Sequence, residues 1–467
     1  MIKLLFLDYR DLETVEGFVR KLEPPKKHVG DPLLVADLPS EVNLMSFYGS
    51  VIRRPTDGKW QLWYKCYNPN GRGPALGYAE SADGIKWIRP ELNVVKFEEK
   101  NTNVVFDRAP HGTAVIYDLR EDRPDWRYKM VHGCKPTERI SAQRSPDGIH
   151  WKEVCDNPIV NQTSGGPIGL CRANDGRYVL YIRPTGMDRR VARSESWDFI
   201  HWTEPRVVMD QDPLGPMQVQ YYGMDGFIYG AYEMGLLWVY HTVASDMDFY
   251  KHQGNMQPEL AYSRSGWAWH RVAPGEHWIS LGAKGTWDGG QLHPASEPVF
   301  LEDEVRFYYS AAKIPHEVTT RGTPEPQWGI GFTSCKPDRF VSFTTSQTEG
   351  RLLTRPFWTE TPSFFANAVV AKDGYLRVEI TDLAGKTIPG FSLAECEPIS
   401  GDSTRHLIRW RAGADPATVT NKDIRLRVLA NNARLYSLFS GSEAESKTYW
   451  KFRIPGYAHM EAEKALM

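Results

Sequence analysis

Three carboxylic acids of this sequence are candidates for a catalytic pair. Asp107 lies in the stretch NTNVVFDRAPHG, Asp288 in GTWDGGQLHP and Glu297 in HPASEPV. Glycosidases use two carboxyl groups, one as the acid and the other as a base or nucleophile. Trp287, beside Asp288, is a stacking platform and an apolar neighbour of the kind that raises a carboxyl pKa. We therefore predict that the catalytic groups are Asp107, Asp288 and Glu297.

Each of these acids also has a purely structural interpretation. Asp107 can be a turn residue that leads into a strand, and Asp288 can belong to a WDGG turn. Glu297 can be paired with an arginine, because a carboxylate that faces a protein interior needs a partner or water. The sequence leaves both interpretations open for all three residues.

Seven further side chains are predicted to bind the substrate. Histidine and arginine at strand ends can bind sugar hydroxyls, shuttle protons or hold an anionic sugar. Two tyrosines lie in the related phrases FYGS and YYGM. The predicted substrate-binding residues are Tyr48, His111, Arg183, Tyr222, His241, Trp287 and His293.

No motif of another common catalytic site occurs in the sequence. There is no GxSxG, no Walker loop, no HExxH and no GxGxxG that opens a helix. The histidine and cysteine spacings fit no metal signature, and free thiols are expected. We expect no cofactor and no metal in the site, and a structural or channel ion such as calcium is left open.

The candidate residues are distributed around a short motif that recurs five times. The copies read SADGIKW, SPDGIHW, SWDFIHW, SRSGWAW and SCKPDRF, each running from a serine to an aromatic residue. Each follows an alternating run and carries polar turn residues, a pattern that predicts a β-hairpin. Successive copies begin about 50 to 70 residues apart, which is typical of a repeat architecture. They begin at Ser81, Ser145, Ser196, Ser263 and Ser334.

Two more predicted strands precede each motif, so each repeat has four strands, A to D, with the motif as the C–D hairpin. Five such antiparallel repeats predict a five-bladed β-propeller. In that fold strand A lines the central channel, and the D–A and B–C connections share one face. We expect the site on that face because its connections are long. Asp225 and Glu233 lie near an A–B turn and are expected on the opposite face.

The remaining residues are predicted to form smaller parts. Residues 1–40 should be an N-terminal arm with a strand at its start and a short helix over residues 11–22. Residues 41–358 form the propeller. The alternating residues 359–445 form a β-sandwich, and residues 446–467 a polar tail. The predicted fold class is therefore all-β, a five-bladed β-propeller followed by a C-terminal β-sandwich.

The charge and hydropathy of the sequence narrow the classes of partner and the location that we expect. The net charge of −2 and the pI of about 6.7 give no electrostatic footprint for nucleic acid. No apolar run is long enough to span a membrane, and residues 4–7 are too few for a signal peptide. We expect a cytoplasmic protein as the sequence stands, or a periplasmic or secreted one if a signal has been removed. The expected partner is an oligosaccharide or glycoside, and the oligomeric state is left open.

The repeat layout, the S-x-D-G-x-x-W hairpins and the appended strands resemble glycoside hydrolases of the family 32/43/68 type. In particular, the sequence resembles bacterial proteins with a family 32 N-terminal-like domain. The resemblance covers residues 41–355 as a propeller and 365–440 as a sandwich, and it implies a saccharide substrate. Those families place three acids on blades one to three. Here blades one and three read NLMSFYGS and SGGPIGLCR, without an acid, and only Asp107 could match by position.

We therefore predict a carbohydrate-active enzyme, an exo-acting glycoside hydrolase that removes a terminal sugar with carboxylates at one mouth of the propeller. Two alternatives stay open. A polysaccharide or oligosaccharide lyase on the same fold would use histidine or tyrosine as the base, with arginine or lysine neutralising a uronate. A non-catalytic propeller would bind a glycan without converting it.

Overall fold

The protein is all-β, as its sequence predicts. The computed structural model describes residues 2–41, 44–67, 73–108, 110–134, 139–156, 158–161, 163, 167–185, 189–216, 218–242, 254–316, 328–411 and 414–447. Most of the predicted tail, residues 446–467, lies outside these ranges. None of the described helices has the length and apolar character needed to cross a membrane.

The chain divides into two compact units. The larger unit contains Lys26–Leu301 and Val305–Ser334, and the smaller unit contains Met1–Pro25, Glu302–Glu304 and Cys335–Lys451. The boundary therefore lies earlier than residue 358, and the predicted N-terminal arm is divided between the units. The reason is strand pairing, because residues on either side of Pro25 pair with strands of different units.

Four repeats of the larger unit form antiparallel groups in chain order. Repeat one contains Val51–Arg53, Trp60–Tyr67, Pro74–Ser81 and Trp87–Ile88, with Val104–Phe106 paired to its third strand and a nearby hairpin of Leu92–Phe97 and Lys100–Thr102. Repeat two contains Pro110–Tyr117, Tyr128–Cys134, Arg139–Ser145 and Lys152–Glu153. Repeat three contains Pro167–Arg172, Tyr178–Ile182, Val191–Ser196 and Arg206–Met209. Repeat four contains Val219–Tyr229, Tyr232–Thr242, Gly254–Ser263 and Trp269–Arg271. Short 3-10 helices cover Pro39–Glu41 and Pro124–Trp126.

Repeat five takes its outermost strand from the beginning of the chain. Its other strands are Gln291–Pro294, Val299–Phe300, Val305–Ala312 and Trp328–Cys335. The last of these pairs with Lys26–Lys27 and Leu34–Val35. Backbone hydrogen bonds of 2.7–3.1 Å join the two segments, and His28 stacks on Phe332 with ring centroids 4.5 Å apart. The first residues of the larger unit thus complete its last repeat.

Two sequence-based expectations are wrong for the same reason. The fifth motif copy, at Ser334, is not a C–D hairpin, because the next strand, Val341–Thr344, pairs with Val19–Leu22. Residues 11–22 form the strands Leu12–Glu16 and Val19–Leu22 rather than a helix. In both places, pairing with distant strands decides the local structure.

In the second motif copy, the serine and the aspartate satisfy the backbone of the turn. The Ser145 hydroxyl accepts a hydrogen bond from the Gly148 N–H at 2.9 Å. Asp147 accepts from the N–H groups of Ile149 and His150 at 2.8 and 2.9 Å. The Gly148 carbonyl in turn accepts from the indole of Trp63 in repeat one at 2.7 Å. The hairpin therefore also fastens one repeat to its neighbour.

Packing contacts run from each repeat to the next and return from repeat five to repeat one. Apolar clusters join repeats one and two, two and three, and three and four. Repeats four and five meet through the Met256–Gln291 bridge and the Phe227–Phe307 ring contact. A further cluster joins repeat five, including Tyr308, to repeat one, including Trp60. Every repeat thus has two neighbouring repeats.

The smaller unit is built around two long paired strands, Phe364–Thr381 and Lys422–Ser440. Its other strands are Ile2–Leu4, Leu12–Glu16, Val19–Leu22, Val341–Thr344, Gly350–Thr354, Phe357–Thr359 and Gly401–Leu407. They bury one apolar core of alternating side chains. A 3-10 helix, Pro416–Thr418, and an α-helix, Glu443–Lys447, complete this unit.

The motif serines give a matched test of this fold. Ser145→Ala removes a buried side-chain acceptor from the turn, so the free energy of unfolding should fall by about 1 kcal/mol. Ser334→Ala should have almost no effect, because this copy does not form the hairpin. Chemical denaturation of both variants measures the difference. Equal losses in the two variants would contradict the assignment of the fifth copy.

Candidate functional site

Two buried tyrosines from different repeats meet near the start of their inner strands. Tyr48 precedes strand A of repeat one, and Tyr222 lies in strand A of repeat four. The Tyr48 hydroxyl donates a hydrogen bond to the Tyr222 hydroxyl oxygen at 3.1 Å. We call these tyrosines and the side chains that contact them the tyrosine site. Its residues are Tyr48, Lys65, His111, Arg183, Arg189, Tyr222, Trp238, Tyr240, His293 and His316.

β-Bulges interrupt three inner strands at this end of the larger unit. The pairing register skips Gly112 in repeat two, Ile168 in repeat three and Tyr222 in repeat four. Gly112 has a φ of 73°, a conformation that glycine adopts without strain. Bulges bend a strand and re-aim side chains, and they are common beside active sites. The bulges at Tyr222 and Ile168 thus direct these two side chains into one apolar cluster with Tyr48.

Arg183 brings a buried positive charge to Tyr222. Its guanidinium carbon lies 4.3 Å from the centre of the Tyr222 ring, and its Nη2 donates to the Tyr222 carbonyl at 3.2 Å. Arg183 is only 8% exposed. Within the described part of the chain, its Nε has no hydrogen-bond partner and no carboxylate pairs with it. Such a charge is unusual, because buried ions are normally paired.

Two other cations flank the tyrosines. The guanidinium of Arg189 lies 5.2 Å from the Tyr222 ring centre, and its Nη1 donates to the amide oxygen of Gln220 at 2.6 Å. The Lys65 ammonium lies 5.0 Å from the centre of the Tyr48 ring. The tyrosine site therefore has a positive electrostatic character.

The two tyrosines differ in acidity. Burial raises the pKa of Tyr48 well above its ordinary value, and the neighbouring Tyr222 adds to this effect. Burial also acts to raise the pKa of Tyr222. The charge of Arg183, the hydrogen bond from Tyr48 and the charge of Arg189 together outweigh burial, so the pKa of Tyr222 is lowered. Tyr48 therefore stays protonated, and Tyr222 is the tyrosine that ionises more readily to a phenolate.

His293 is held in one neutral form by its neighbours. The Gln291 amide nitrogen donates a hydrogen bond to the Ile314 carbonyl, so the Gln291 amide oxygen faces His293. That oxygen accepts a hydrogen bond from the Nε2–H group of His293 at 3.1 Å. His293 Nδ1 then accepts from the Ser46 hydroxyl at 2.8 Å. Burial, followed by the neighbouring imidazole of His316 and the charge of Lys65, lowers the pKa of His293 well below its ordinary value. With both nitrogens engaged, His293 orients the site rather than serving as its base.

His316 contacts the hydroxyl of Tyr222 directly. Its Nε2 lies 3.1 Å from the Tyr222 oxygen. Burial and then the charges of Arg189, Arg183 and Lys65 lower the pKa of His316 to about 3, so the imidazole is neutral. A neutral imidazole can donate from Nε2. Tyr48 and His316 can therefore both donate to the Tyr222 oxygen when it is ionised, which favours the ionised form.

Behind the tyrosines, Trp238 connects the site to a buried acid. Its ring stacks on His293 at 4.8 Å and on Tyr222 at 6.1 Å, and its indole N–H donates to Asp225 Oδ2 at 2.5 Å. Asp225 is 1% exposed, and burial raises its pKa well above the ordinary value. An indole from an adjacent strand thus links Asp225 to the tyrosine site, a contact that the sequence did not predict.

The structure brings together five of the seven predicted substrate-binding residues. Tyr48, His111, Arg183, Tyr222 and His293 all belong to the tyrosine site. The other two have different neighbours. The ring of His241 lies 5.6 Å from that of His277, and Trp287 stacks on Tyr309 at 5.5 Å.

The three predicted catalytic acids have separate surroundings. Asp107 is partly exposed after the strand Val104–Phe106. Asp288 Oδ2 lies 2.5 Å from the ammonium of Lys27, in the strand that completes repeat five. Glu297 follows Ser296, which links the first strands of repeats one and three. When ionised, Glu297 adds to the effect of burial in raising the pKa of the Cys171 thiol. Their contacts do not form the facing pair that we expected from the sequence.

Several residues of the tyrosine site were missed by sequence reasoning. Arg189, His316, Trp238 and Lys65 carry no motif. The two central tyrosines did carry a signal in the sequence, because Tyr48 and Tyr222 occupy the matching positions of FYGS and YYGM. Among the described residues, no group of three or more His, Cys, Asp and Glu side chains is arranged to hold a metal ion.

Comparison with known proteins gives structural similarities at low identity. No protein-family model and no curated protein matches the chain. A solved glycoside hydrolase is 15% identical, with a TM-score of 0.47, over 68% of this chain and 93% of its own. A fructofuranosidase from Schwanniomyces occidentalis, complexed with fructosylnystose, is 10% identical, with a TM-score of 0.44, over 89% and 96%. An N-acetylgalactosamine deacetylase from F. plautii, in complex with blood group B trisaccharide, is 15% identical, with a TM-score of 0.43, over 69% and 97%.

The protonation of Glu297 can be tested through stability. Burial raises the pKa of Glu297 to about 8, so between about pH 4.5 and pH 8 the folded protein keeps a proton that the unfolded chain releases. The free energy of unfolding should therefore fall as the pH rises through this window. Glu297→Gln does not titrate and should gain at least about 1 kcal/mol relative to the parent between about pH 5 and pH 8.5.

Thermal melting of the parent and Glu297→Gln at both pH values measures this gain. Glu91→Gln, at an exposed position, is the matched control and should show no such change. A constant difference between the parent and Glu297→Gln would mean that Glu297 is ionised in the folded protein.

Proposed function

We propose that the protein is a carbohydrate-active enzyme that breaks a glycosidic bond beside an acidic sugar by elimination. One observation carries this proposal: the buried guanidinium of Arg183, which no described carboxylate neutralises, lies over the ring of Tyr222. Arg183 receives the carboxylate of a uronic acid, and Tyr222 is the base. The surrounding aromatic and histidine side chains offer stacking surfaces and hydrogen bonds to a sugar ring.

The charge of Arg183 needs an anion for energetic reasons. Removing a guanidinium from water costs several kcal/mol. Its cation–π contact with Tyr222 returns about 2 kcal/mol or more in a desolvated site, which offsets only part of this cost. An incoming carboxylate would supply the missing compensation through charge-assisted hydrogen bonds, and the planar guanidinium matches its two oxygens.

The chemistry of elimination fits a tyrosine base. The Tyr222 phenolate takes the hydrogen on C5 of the uronate, next to the carboxylate. The electron pair of that C–H bond forms the C4=C5 double bond, and the bond from C4 to the glycosidic oxygen breaks with its electrons on oxygen. That oxygen takes a proton from an acid. Arg183 stabilises the negative charge that develops on the carboxylate, which is the usual effect of a preorganised cation.

The five repeats are, in this proposal, the blades of a five-bladed β-propeller, and the smaller unit is a β-sandwich. The closed sequence of contacts from repeat one to five and back to one supports the propeller. The completion of repeat five by the chain start also supports it, because it leaves no open gap between the last blade and the first. The tyrosine site then lies at one mouth of the channel.

Hydrolysis by carboxylates is the second candidate, and one observation favours it. The pKa of Glu297 is raised to about 8, so this carboxyl keeps its proton at neutral pH as a general acid must. It ranks below elimination because Asp288 is already paired with Lys27 and the described contacts give Glu297 no facing carboxylate.

Variants of the two central residues test the elimination. Tyr222→Phe removes the base, and kcat on a uronate-containing oligosaccharide should fall about 100- to 10,000-fold. Arg183→Lys keeps the charge but loses the planar fork, so kcat/KM should fall at least about tenfold. The measurement is the ultraviolet absorbance of the unsaturated product. Tyr117→Phe and Arg206→Lys, outside the site, are the matched controls and should retain parental activity.

The form of the product separates the candidate functions. New reducing ends without an unsaturated product would establish hydrolysis and contradict the elimination. Oligosaccharide binding without any product would indicate a glycan-binding protein. Unchanged activity in Tyr222→Phe, with parental thermal stability, would rule out Tyr222 as the base.

A further inference from the structure

The geometry of the two tyrosine hydroxyls points to the stereochemistry of the substrate. We propose that Tyr48 is the catalytic acid that partners Tyr222, and that the enzyme acts on uronates whose C5 hydrogen and C4 oxygen lie on the same face of the ring. Glucuronate and mannuronate have this arrangement, and galacturonate does not. This inference rests on the proposed elimination and names the substrate class of the same site.

The distance between the hydroxyls carries the argument. The oxygens of Tyr48 and Tyr222 are 3.1 Å apart. An acid and a base must each come within about 3 Å of the atom that they serve. Groups that act from opposite sides of a sugar need separations of about 5 Å or more, as the paired carboxylates of glycosidases illustrate. Two oxygens in mutual contact can therefore serve only one face of the ring.

The acid role of Tyr48 follows from what surrounds it. Tyr48 donates its proton to Tyr222 in the resting site, so the proton already lies between the two oxygens. Burial keeps Tyr48 protonated, because its pKa is raised, whereas Arg183 and Arg189 act on Tyr222 in the opposite sense. The other described side chains that contact Tyr48 and carry a transferable proton are Lys65, His111 and His293. Both nitrogens of His293 are already engaged, and only Tyr48 has its proton directed at the oxygen of Tyr222 through a hydrogen bond between the two hydroxyls.

The proton balance closes within the pair. Tyr222 takes the C5 hydrogen as a proton, and Tyr48 gives its own proton to the departing glycosidic oxygen. After the product leaves, Tyr222 is neutral and Tyr48 is an anion. The hydrogen bond between them then returns the proton from Tyr222 to Tyr48, which restores the starting state without a co-reactant.

Two substrates that differ in the configuration of one carbon test the inference. One probe is an oligosaccharide of glucuronate substituted at O4, and the other is an oligogalacturonate, also substituted at O4. We expect unsaturated product from the glucuronate probe, with kcat/KM at least about 100-fold higher than on the galacturonate probe. Product from the galacturonate probe alone, or equally from both, would overturn the same-face geometry while leaving the elimination intact. Unsaturated product from neither probe would overturn the elimination and this inference with it.

A leaving-group experiment separates the acid role of Tyr48 from a structural one. Tyr48→Phe should lower kcat about 100-fold or more on the sugar leaving group. On a glucuronate with nitrophenol at O4, the loss should shrink to less than about tenfold, because a nitrophenolate leaves without an acid. Tyr222→Phe should lose activity on both substrates, since the base is needed in each case. Equal losses in Tyr48→Phe on the two substrates would show that Tyr48 is not the acid.

Discussion

The site depends on a positive charge that the fold buries without a carboxylate partner. Arg183 is held over the face of Tyr222, and one of its nitrogens is fixed by the carbonyl of the same residue. A cation in this position has two effects that belong together. It favours the ionised form of the phenol, and it leaves hydrogen-bonding capacity for an anion that arrives from solution. The aromatic lining is what allows both, because rings stabilise a cation without neutralising it.

The strands that carry these residues are positioned by backbone irregularities rather than by regular pairing. Tyr222, Ile168 and Gly112 are each the extra residue of a bulge, so three inner strands turn at the same level. Below that level, serine hydroxyls join the inner strands directly, as when Ser296 accepts from the Leu170 N–H at 3.1 Å. These hydrogen bonds and the bulges together hold the side chains of the site in place before any ligand binds.

Much of the fold was predictable because it is encoded locally. The Ser145 copy of the motif forms its own turn from its own side chains, so a repeat could be recognised without knowledge of its neighbours. The fifth copy fails because its expected strand partner is replaced by Lys26–Lys27, roughly 300 positions earlier. The same cause explains the missed strands near the start of the chain, since Val19–Leu22 pairs with Val341–Thr344. Pairing at such separations leaves no trace in a single sequence.

The convergence of five candidate residues was predictable from the sequence, and the contacts of the three acids were not. Histidines and tyrosines at strand starts converge because strand topology alone brings them to one end. Asp288 looked catalytic from its neighbour Trp287, but the pairing of Lys27 with repeat five could not be seen. A tyrosine base stood only as an alternative in the sequence, because the ordinary pKa of tyrosine is too high for a base until a cation such as Arg183 is placed beside it.

The two tyrosines of the site show how equivalent positions in two repeats acquire different roles. Tyr48 and Tyr222 occupy the same place in two repeats, and a symmetric pair would have no preferred base. Symmetry is broken by Arg183 and Arg189, which both approach the Tyr222 ring. Because Tyr48 donates and Tyr222 accepts in their hydrogen bond, the local charges and the proton position agree. Repetition supplied two phenols in contact, and the connection between the second and third strands of repeat three supplied the charges that favour ionisation of one of them.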